Sequence, residues 1–311
     1  MAEFVAWNSR DLEEWSAQHA AGKIIELAGR RTHYRQAGSG APLILLHGFY
    51  YDSYLWAENI PALADHYTVY APDLWGFGYS TREPLDYGYP LFAEQVRLFM
   101  DELGLERASL MGQSMGGGTA IHFTVTHPDR VEKLVLVDPA ALPNPLPWKS
   151  RIFNLPGIGE FLSGLNTDLV RRRTLAEFWI HDRSRLTDSY FTEATRFQKI
   201  RGTTEVLHTI LRRRFFDTLE RDVEALDGLG IPVLIAWGKH DRAVPLACGE
   251  KMHRLLAGSR FEIFDDSGHL PNYEEAEAFN RLVLAFLQTP GSGPGPVSGT
   301  GSGSETRSGT G

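Results

Sequence analysis

The residues of this 311-residue chain best suited to chemistry form the run Gly112-Gln113-Ser114-Met115-Gly116, a G-x-S-x-G. An apolar stretch, Ala108 to Met111, precedes it, and a helix-compatible stretch, Gly117 to Thr126, follows. That placement predicts a tight strand-to-helix turn, with glycines allowing close backbone approach and the serine hydroxyl thrust out near a helix N-terminus. A serine that merely caps the helix would account for the turn alone; the strand and helix on either side favour a nucleophile. A serine hydroxyl is a weak nucleophile near neutral pH, so it needs a base, and the base needs a third group to fix its tautomer.

The rest of the chain offers both. The segment from Val233 through Trp237 to Asp241 puts an aspartate just past a late strand, and Asp266-Ser267-Gly268-His269-Leu270 puts a histidine just past the next. The chain order Ser114, Asp241, His269 is that of nucleophile-elbow hydrolases, and ligands in open α/β sheets gather at the carboxyl ends of strands. Asp138, directly after Leu134 to Val137, is the rival for the acid, while Asp265 and Asp266 read as turn residues. His240 reads as a loop residue, because adjacent side chains diverge. The oxyanion formed on serine attack calls for two backbone N–H groups. One is expected from Met115, the other from Phe49 in Leu46-His47-Gly48-Phe49-Tyr50, with Gly48 turning the backbone inward and His47 as a structural hydrogen-bonder.

These residues must be carried by a sheet. Leu43 to Leu46, Tyr67 to Ala71, Ala108 to Gly112, Leu134 to Val137, Val233 to Trp237 and Arg260 to Phe264 read as strands, with Ile24 to Leu27 and Thr32 to Arg35 as an opening hairpin. Their alternation with segments of helical period predicts an α/β layer structure with a largely parallel sheet. Phe279, Leu282, Val283, Phe286 and Leu287 give the closing helix one apolar stripe. The alternation fails between about Pro139 and Leu229, where Phe153, Leu155, Phe161, Leu162, Phe178, Trp179, Phe191, Phe197, Leu207, Leu211 and Phe215 predict a helical insertion packed chiefly on a small core of its own. The expected division is a helical extension over 1–22, with Asn8 to Ala21 amphipathic, a core over 23–138 and 230–288, the insertion over 139–229, and a flexible Gly/Ser/Pro-rich tail over 289–311. Whether the extension packs on its own core or on a second subunit, and so the oligomeric state, stays open.

Composition bounds the function. With 31 Lys and Arg against 39 Asp and Glu, the net charge of -8 disfavours nucleic acid and anionic membrane surfaces as partners. Cys248 is the only cysteine, so no intrachain disulfide and no cysteine-rich zinc site can form. No secretory signal and no span of about eighteen apolar residues is visible, and a cytoplasmic location is the expectation by default.

Taken together, HGFY after an early strand, DLWGFGYS at Asp73 to Ser80, GQSMGG at Gly112 to Gly117, WGKHD and SGH resemble the α/β-hydrolase fold serine hydrolases over about residues 23 to 288. The resemblance implies a mostly parallel central sheet flanked by helices, with the 139–229 insertion as a helical cap and substrate held between cap and core. Epoxide- and halide-processing branches use an aspartate at the elbow, which Ser114 argues against. The SMGGG stretch also resembles cofactor-free perhydrolases, themselves esterases. Carbon-carbon bond hydrolases of aromatic-ring degradation share the triad order and an ending like Glu275 to Val283, but carry Asn before the serine and Trp after the histidine, where this chain has Gln113 and Leu270. The leading expectation is a carboxylesterase without metal or organic cofactor, acting on small hydrophobic esters, with Phe49, Tyr50, Trp75, Val244 and Leu270 near the pocket mouth. The carbon-carbon hydrolase stands second, beside a slow hydrolase acting as a ligand receptor. The arginine clusters Arg171 to Arg173 and Arg212 to Arg214 read as solvated helix faces.

Overall fold

A computed structural model describes residues 5–144 and 167–289. Its eight-stranded sheet runs in the order β1-β2-β4-β3-β5-β6-β7-β8. The strands are β1 (Lys23–Leu27), β2 (Arg30–Ala37), β3 (Pro42–Leu46), β4 (Thr68–Pro72), β5 (Ala108–Gln113), β6 (Val131–Val137), β7 (Val233–Gly238) and β8 (Arg260–Phe264). β1 and β2 form an antiparallel hairpin, β2 pairs antiparallel with β4, and every pairing from β4 across to β8 is parallel. Each strand anticipated from the sequence is present.

Residues two apart on a strand share a face, and the core divides accordingly. Ile44, Leu46, Leu110, Leu134, Leu136, Ile235 and Trp237 belong to one apolar cluster; Leu43, Leu45, Met111, Val135, Val137, Leu234 and Ala236 belong to another. Helices Tyr89–Glu102 and Met115–Thr126 cover the first face through Phe92, Val96, Phe99, Ile121 and Phe123. The closing helix Ala276–Gln288 covers the second with Phe279, Val283, Phe286 and Leu287. β5 lies between these layers with all six residues buried, which is why its sequence lacks the regular apolar–polar alternation of a half-buried strand.

Between β6 and β7 lie the helices Asp168–Thr174, Asp188–Thr195, Thr203–Arg213 and Glu220–Asp227. Among the described residues these helices add to the sheet's two clusters. Phe197, Val206, Leu207 and Ile210 join the first cluster of the sheet, and Tyr190, Phe191 and Ala194 join the second. Phe153, Leu155, Phe161 and Leu162 lie outside the described residues, as does the tail from residue 290 onward. Thr289, placed in that tail by composition, is held by the ammonium of Lys133.

The N-terminal helix is shorter than its apolar spacing suggested, Leu12–His19, because Asp11 caps it by accepting from Glu13 N and Glu14 N. Residues 8–10 instead run beside the insertion, with Asn8 in a turn at φ 55: Arg10 bridges Ile200, and Asn8 N donates to Gln198 O. Trp15 Nε1 donates to Arg196 O, so the helix packs on its own chain. Among the described residues no helix is long and apolar enough to cross a membrane.

Candidate active site

Ser114 sits between β5 and the helix Met115–Thr126 with φ 52 and ψ -117, a backbone conformation that L-residues rarely adopt. Its amide donates to Val137 O, and its carbonyl accepts from Gly118 N and Ala140 N, so both neighbouring elements hold the turn. The flanking glycines are forced by contact: a Cβ on Gly112 would lie 2.3 Å from Gly116 O, and one on Gly116 2.2 Å from Leu46 O. This packs the turn against the end of β3. The loop after β3 is equally close, since a Cβ on Gly48 would lie 2.0 Å from Gln113 Oε1 and 3.1 Å from Ser114 Cβ.

Phe49 N donates to no acceptor among the described residues. Met115 opens its helix, where backbone N–H groups lack an intrahelical partner. Next to Phe49, Tyr50 holds φ at 75 and stacks on Trp179 at 5.5 Å. His47 is fully buried: its Nε2 accepts from Leu74 N and its Nδ1 donates to Gly48 O, both at 2.9 Å. Burial pushes the pKa of that imidazole down, so it stays neutral and fixes the loop.

Asp241 and His269 meet. Asp241 Oδ2 lies 2.6 Å from His269 Nδ1, while Asp241 Oδ1 accepts from Ala243 N at 2.7 Å and Val244 N at 2.9 Å. The imidazole is only 1% exposed. Gly238 permits the meeting, for a Cβ there would lie 1.7 Å from Gly268 O, across the gap between the β7 and β8 loops. Asp138 joins the group by a different route: at φ 43 its Oδ1 accepts from Gly238 N, and Asp138, Asp241 and His269 each bring an atom within 4.8 Å of the others. Asp138 therefore adjoins the carboxylate that holds the imidazole.

Ser114 Oγ makes no hydrogen bond among the described residues, His269 included. The two residues are tied instead through Gln113, whose Nε2 donates to His269 O at 2.9 Å. Serine-to-imidazole hydrogen bonds are commonly loose before substrate closes the site.

Among the residues expected at a pocket mouth, Trp75 departs from expectation. Its indole is buried in the sheet core, Nε1 donates to Thr32 Oγ1 on β2, and the Arg30 guanidinium stands over the ring, so it serves packing. Leu270 is also fully buried, in the second cluster. Val244 works through its backbone, donating to Asp241 and accepting from Trp237 Nε1 at 3.1 Å. Phe49 and Tyr50 remain half-buried beside the serine turn. His240 stacks on His181 at 3.9 Å, clear of the Asp241 carboxylate's partners.

Several residues at this site gave no sequence signal. Trp179 O accepts from His269 N at 2.8 Å. Glu274 Oε1 accepts from Gly268 N at 2.7 Å, and its Oε2 from His181 N and Asp182 N at 2.7 and 2.8 Å. The insertion thus rests directly on the histidine loop. It also reaches the loop after β3, where Gln198 Nε2 donates to Tyr50 O at 3.0 Å and Phe216 packs edge-on against Phe49. Arg171, read from sequence as part of a solvated face, is 2% exposed: it hydrogen-bonds Tyr50 OH and Gln198 Oε1 and lies 4.0 Å over Trp7, with its Nε unpartnered among the described residues.

Comparison with known proteins places the fold in a family. The family model of the alpha/beta hydrolase fold matches residues 41–276. The chain is 31% identical over 275 residues to a 2-hydroxymuconate semialdehyde hydrolase of a Pseudomonas species, covering 86% of this chain and 93% of that protein. It is 32% identical over 277 residues to a 2-hydroxy-6-oxo-6-phenylhexa-2,4-dienoate hydrolase of Burkholderia cepacia, covering 84% and 92%. In structure it is similar to a meta-cleavage product hydrolase of Pseudomonas fluorescens, with TM-score 0.75, 30% identity, and 86% and 97% of the two chains covered. The chain belongs to the α/β-hydrolase fold family.

Proposed function

We propose that this chain is a serine hydrolase that cleaves carboxylic esters through an acyl-enzyme at Ser114. The observation that carries the reading is the 2.6 Å contact of Asp241 Oδ2 with His269 Nδ1, on a histidine loop bonded through Gln113 to the serine turn. Nδ1 then carries a proton toward Asp241, which leaves Nε2 as the basic nitrogen. His269 takes the Ser114 proton as the hydroxyl attacks the ester carbonyl. The oxyanion is received by the N–H groups of Phe49 and Met115. The alcohol leaves with the proton from His269, and water, activated by the same imidazole, releases the acid. Asp241 stays charged throughout and stabilises the imidazolium. No step calls for a metal or organic cofactor.

The insertion between β6 and β7 acts in this reading as a cap. Its bonds to the His269 loop and to Tyr50 support that role, and the aromatic surroundings of Phe49, Tyr50 and Trp179 suit a hydrophobic acyl or aryl group.

Carbon-carbon bond hydrolysis is the second reading, and two observations favour it. The named relatives at 31% and 32% identity are hydrolases of that kind. Arg171 is a buried cation with only neutral hydrogen-bond partners among the described residues, beside the Phe49–Tyr50 loop, a setting that suits an anionic substituent on the substrate. Turnover of nitrophenyl esters of rising acyl length, measured beside turnover of a vinylogous diketone acid, separates the two. Faster ester cleavage supports the first reading, and a higher kcat/KM on the diketone overturns it. A phosphonate that labels Ser114 without multiple turnovers on either class would point to a ligand receptor.

A further inference from the structure

Two buried carboxyl groups bring oxygens within 4.8 Å of each other at the end of the sheet, and only one of them is provided for as a charge. Asp241 has three donors: Ala243 N and Val244 N on Oδ1, and the His269 imidazole on Oδ2. Among the described residues Asp138 has one, Gly238 N on Oδ1, while its Oδ2 is buried with no donor among them aimed at it. Two carboxylates at this separation cannot both stay ionised out of water. The charge belongs on the oxygen pair with three donors, and the proton belongs on the oxygen that has none.

We infer that Asp138 is a protonated fourth member of the relay, a positioning residue whose carboxyl O–H donates to Asp241 and holds that carboxylate against His269. The chain becomes Asp138 O–H to Asp241 carboxylate to His269 Nδ1–H, with Nε2 left for the Ser114 proton. Asp138 gives up no proton in turnover; the proton shuttled by His269 moves between Ser114 Oγ and the leaving group. The groups facing Asp138 agree with this assignment. Burial, then the charge on Asp241, raise its pKa well above the usual carboxylate range, and Glu274 raises it further, against the Gly238 N–H. The half-buried Cys248 thiol also feels Asp241: its pKa is raised, first by burial and then by that aspartate. The sequence posed Asp138 and Asp241 as rivals for one role; the geometry points to two complementary roles.

The inference rests on Ser114 and His269 as nucleophile and base, and its test includes a readout that does not depend on them. Infrared spectra of the intact protein should show a protonated-carboxyl stretch that persists at about pH 9, where Asp52 and Glu274, each pushed up only to about 7, have ionised. That band should vanish in D138N, and should D138N fail to fold, it should shift in frequency in D241N, where the O–H donates to a neutral amide oxygen in place of a carboxylate; an unshifted band would belong to another group. The companion measurement is the rate of Ser114 labelling by a fluorophosphonate against pH. D138A should slow labelling by about tenfold, and D138N, whose amide donates the same bond, should restore most of it. The acid limb in D138N should stay within about 0.3 pH unit of the parent, whereas removing a second negative charge this close would move it down by more than about one unit. Absence of the band at pH 9, or a shift of that size, overturns the inference. If the parent is not labelled at all, the nucleophile reading fails while the infrared band still decides where the proton sits.

Discussion

Gln113 Nε2 donates a 2.9 Å hydrogen bond to the backbone carbonyl of His269, so the residue before the serine holds the loop that carries the imidazole. The bond spans 156 positions of sequence and lies in the buried interior, where water cannot replace it. In Gln113→Leu the carbonyl of His269 loses its donor at a cost of about 1–3 kcal/mol. The expected outcome is a lower Tm together with about tenfold slower phosphonate labelling of Ser114. A lower Tm with unchanged labelling would make the bond purely structural.

Replacement of the relay residues should separate chemistry from folding. Ser114→Ala removes the attacking oxygen and should reduce ester turnover by on the order of 10⁴-fold or more, with Tm little changed. Asp241→Asn keeps an acceptor for Ala243 N and Val244 N but offers the imidazole a neutral partner, and should lose turnover by about 10⁴-fold. Substantial activity in the serine variant would remove Ser114 from its role, and substantial activity in the aspartate variant would leave the acid's role to Asp138.

The sheet and the serine turn were legible because they depend on local pattern. β5 carries six buried residues in a row, and the contacts at Gly112 and Gly116 need glycine at those two spacings. The pairing of Asp241 with His269 was legible as chain order, since each follows a strand at the same edge of the sheet. What stayed hidden depends on contacts between segments far apart in sequence. Glu274 lies in a short helix and bonds backbone groups 93 and 92 residues earlier, which leaves no spacing signal. Trp75 was misplaced because an aromatic beside a Gly-rich loop resembles a pocket wall until Thr32 and Arg30 of β2 are seen to enclose it. Arg171 was misread for the same reason, its charge run carrying no trace of the Trp7 and Tyr50 rings that cover it.

Glu274 joins the histidine loop to the insertion through three backbone N–H groups, those of Gly268, His181 and Asp182. In Glu274→Gln one acceptor oxygen becomes an NH₂ group facing an N–H donor. Amide hydrogen exchange at Gly268, His181 and Asp182 should accelerate in the variant, since local opening now breaks fewer bonds. Burial pushes the Glu274 carboxyl up to about 7, so as pH falls below that value the parent also gains a proton on one of these oxygens. The exchange difference between parent and variant should therefore be large near pH 8 and shrink by about pH 6. A difference independent of pH would mean that Glu274 is not the ionised latch at neutral pH.

Asp52 gives a second pH test, with its sign fixed by burial. It lies beside Asp73, whose carboxylate accepts from Ser53 N at 2.8 Å, Tyr79 N at 2.8 Å and His33 Nδ1 at 2.7 Å. Burial first, and the Asp73 charge second, push Asp52 up to about 7. The unfolded chain loses this proton near the ordinary aspartate value of about 3.9, whereas the folded chain keeps it until about 7. The folded state therefore binds more protons across that window, and this group's contribution to stability falls as pH rises through it, levelling off above 7. Asp52→Asn retains an oxygen to accept from Tyr54 N and cap the turn at Ser53–Trp56, but it carries no charge to bury. The Tm of the variant relative to the parent should be near zero at about pH 4, rise through neutrality and reach a positive plateau by about pH 8. A difference that stays flat, or turns negative as pH rises, would show that Arg35 and the Tyr54 N–H already hold Asp52 as a stable anion.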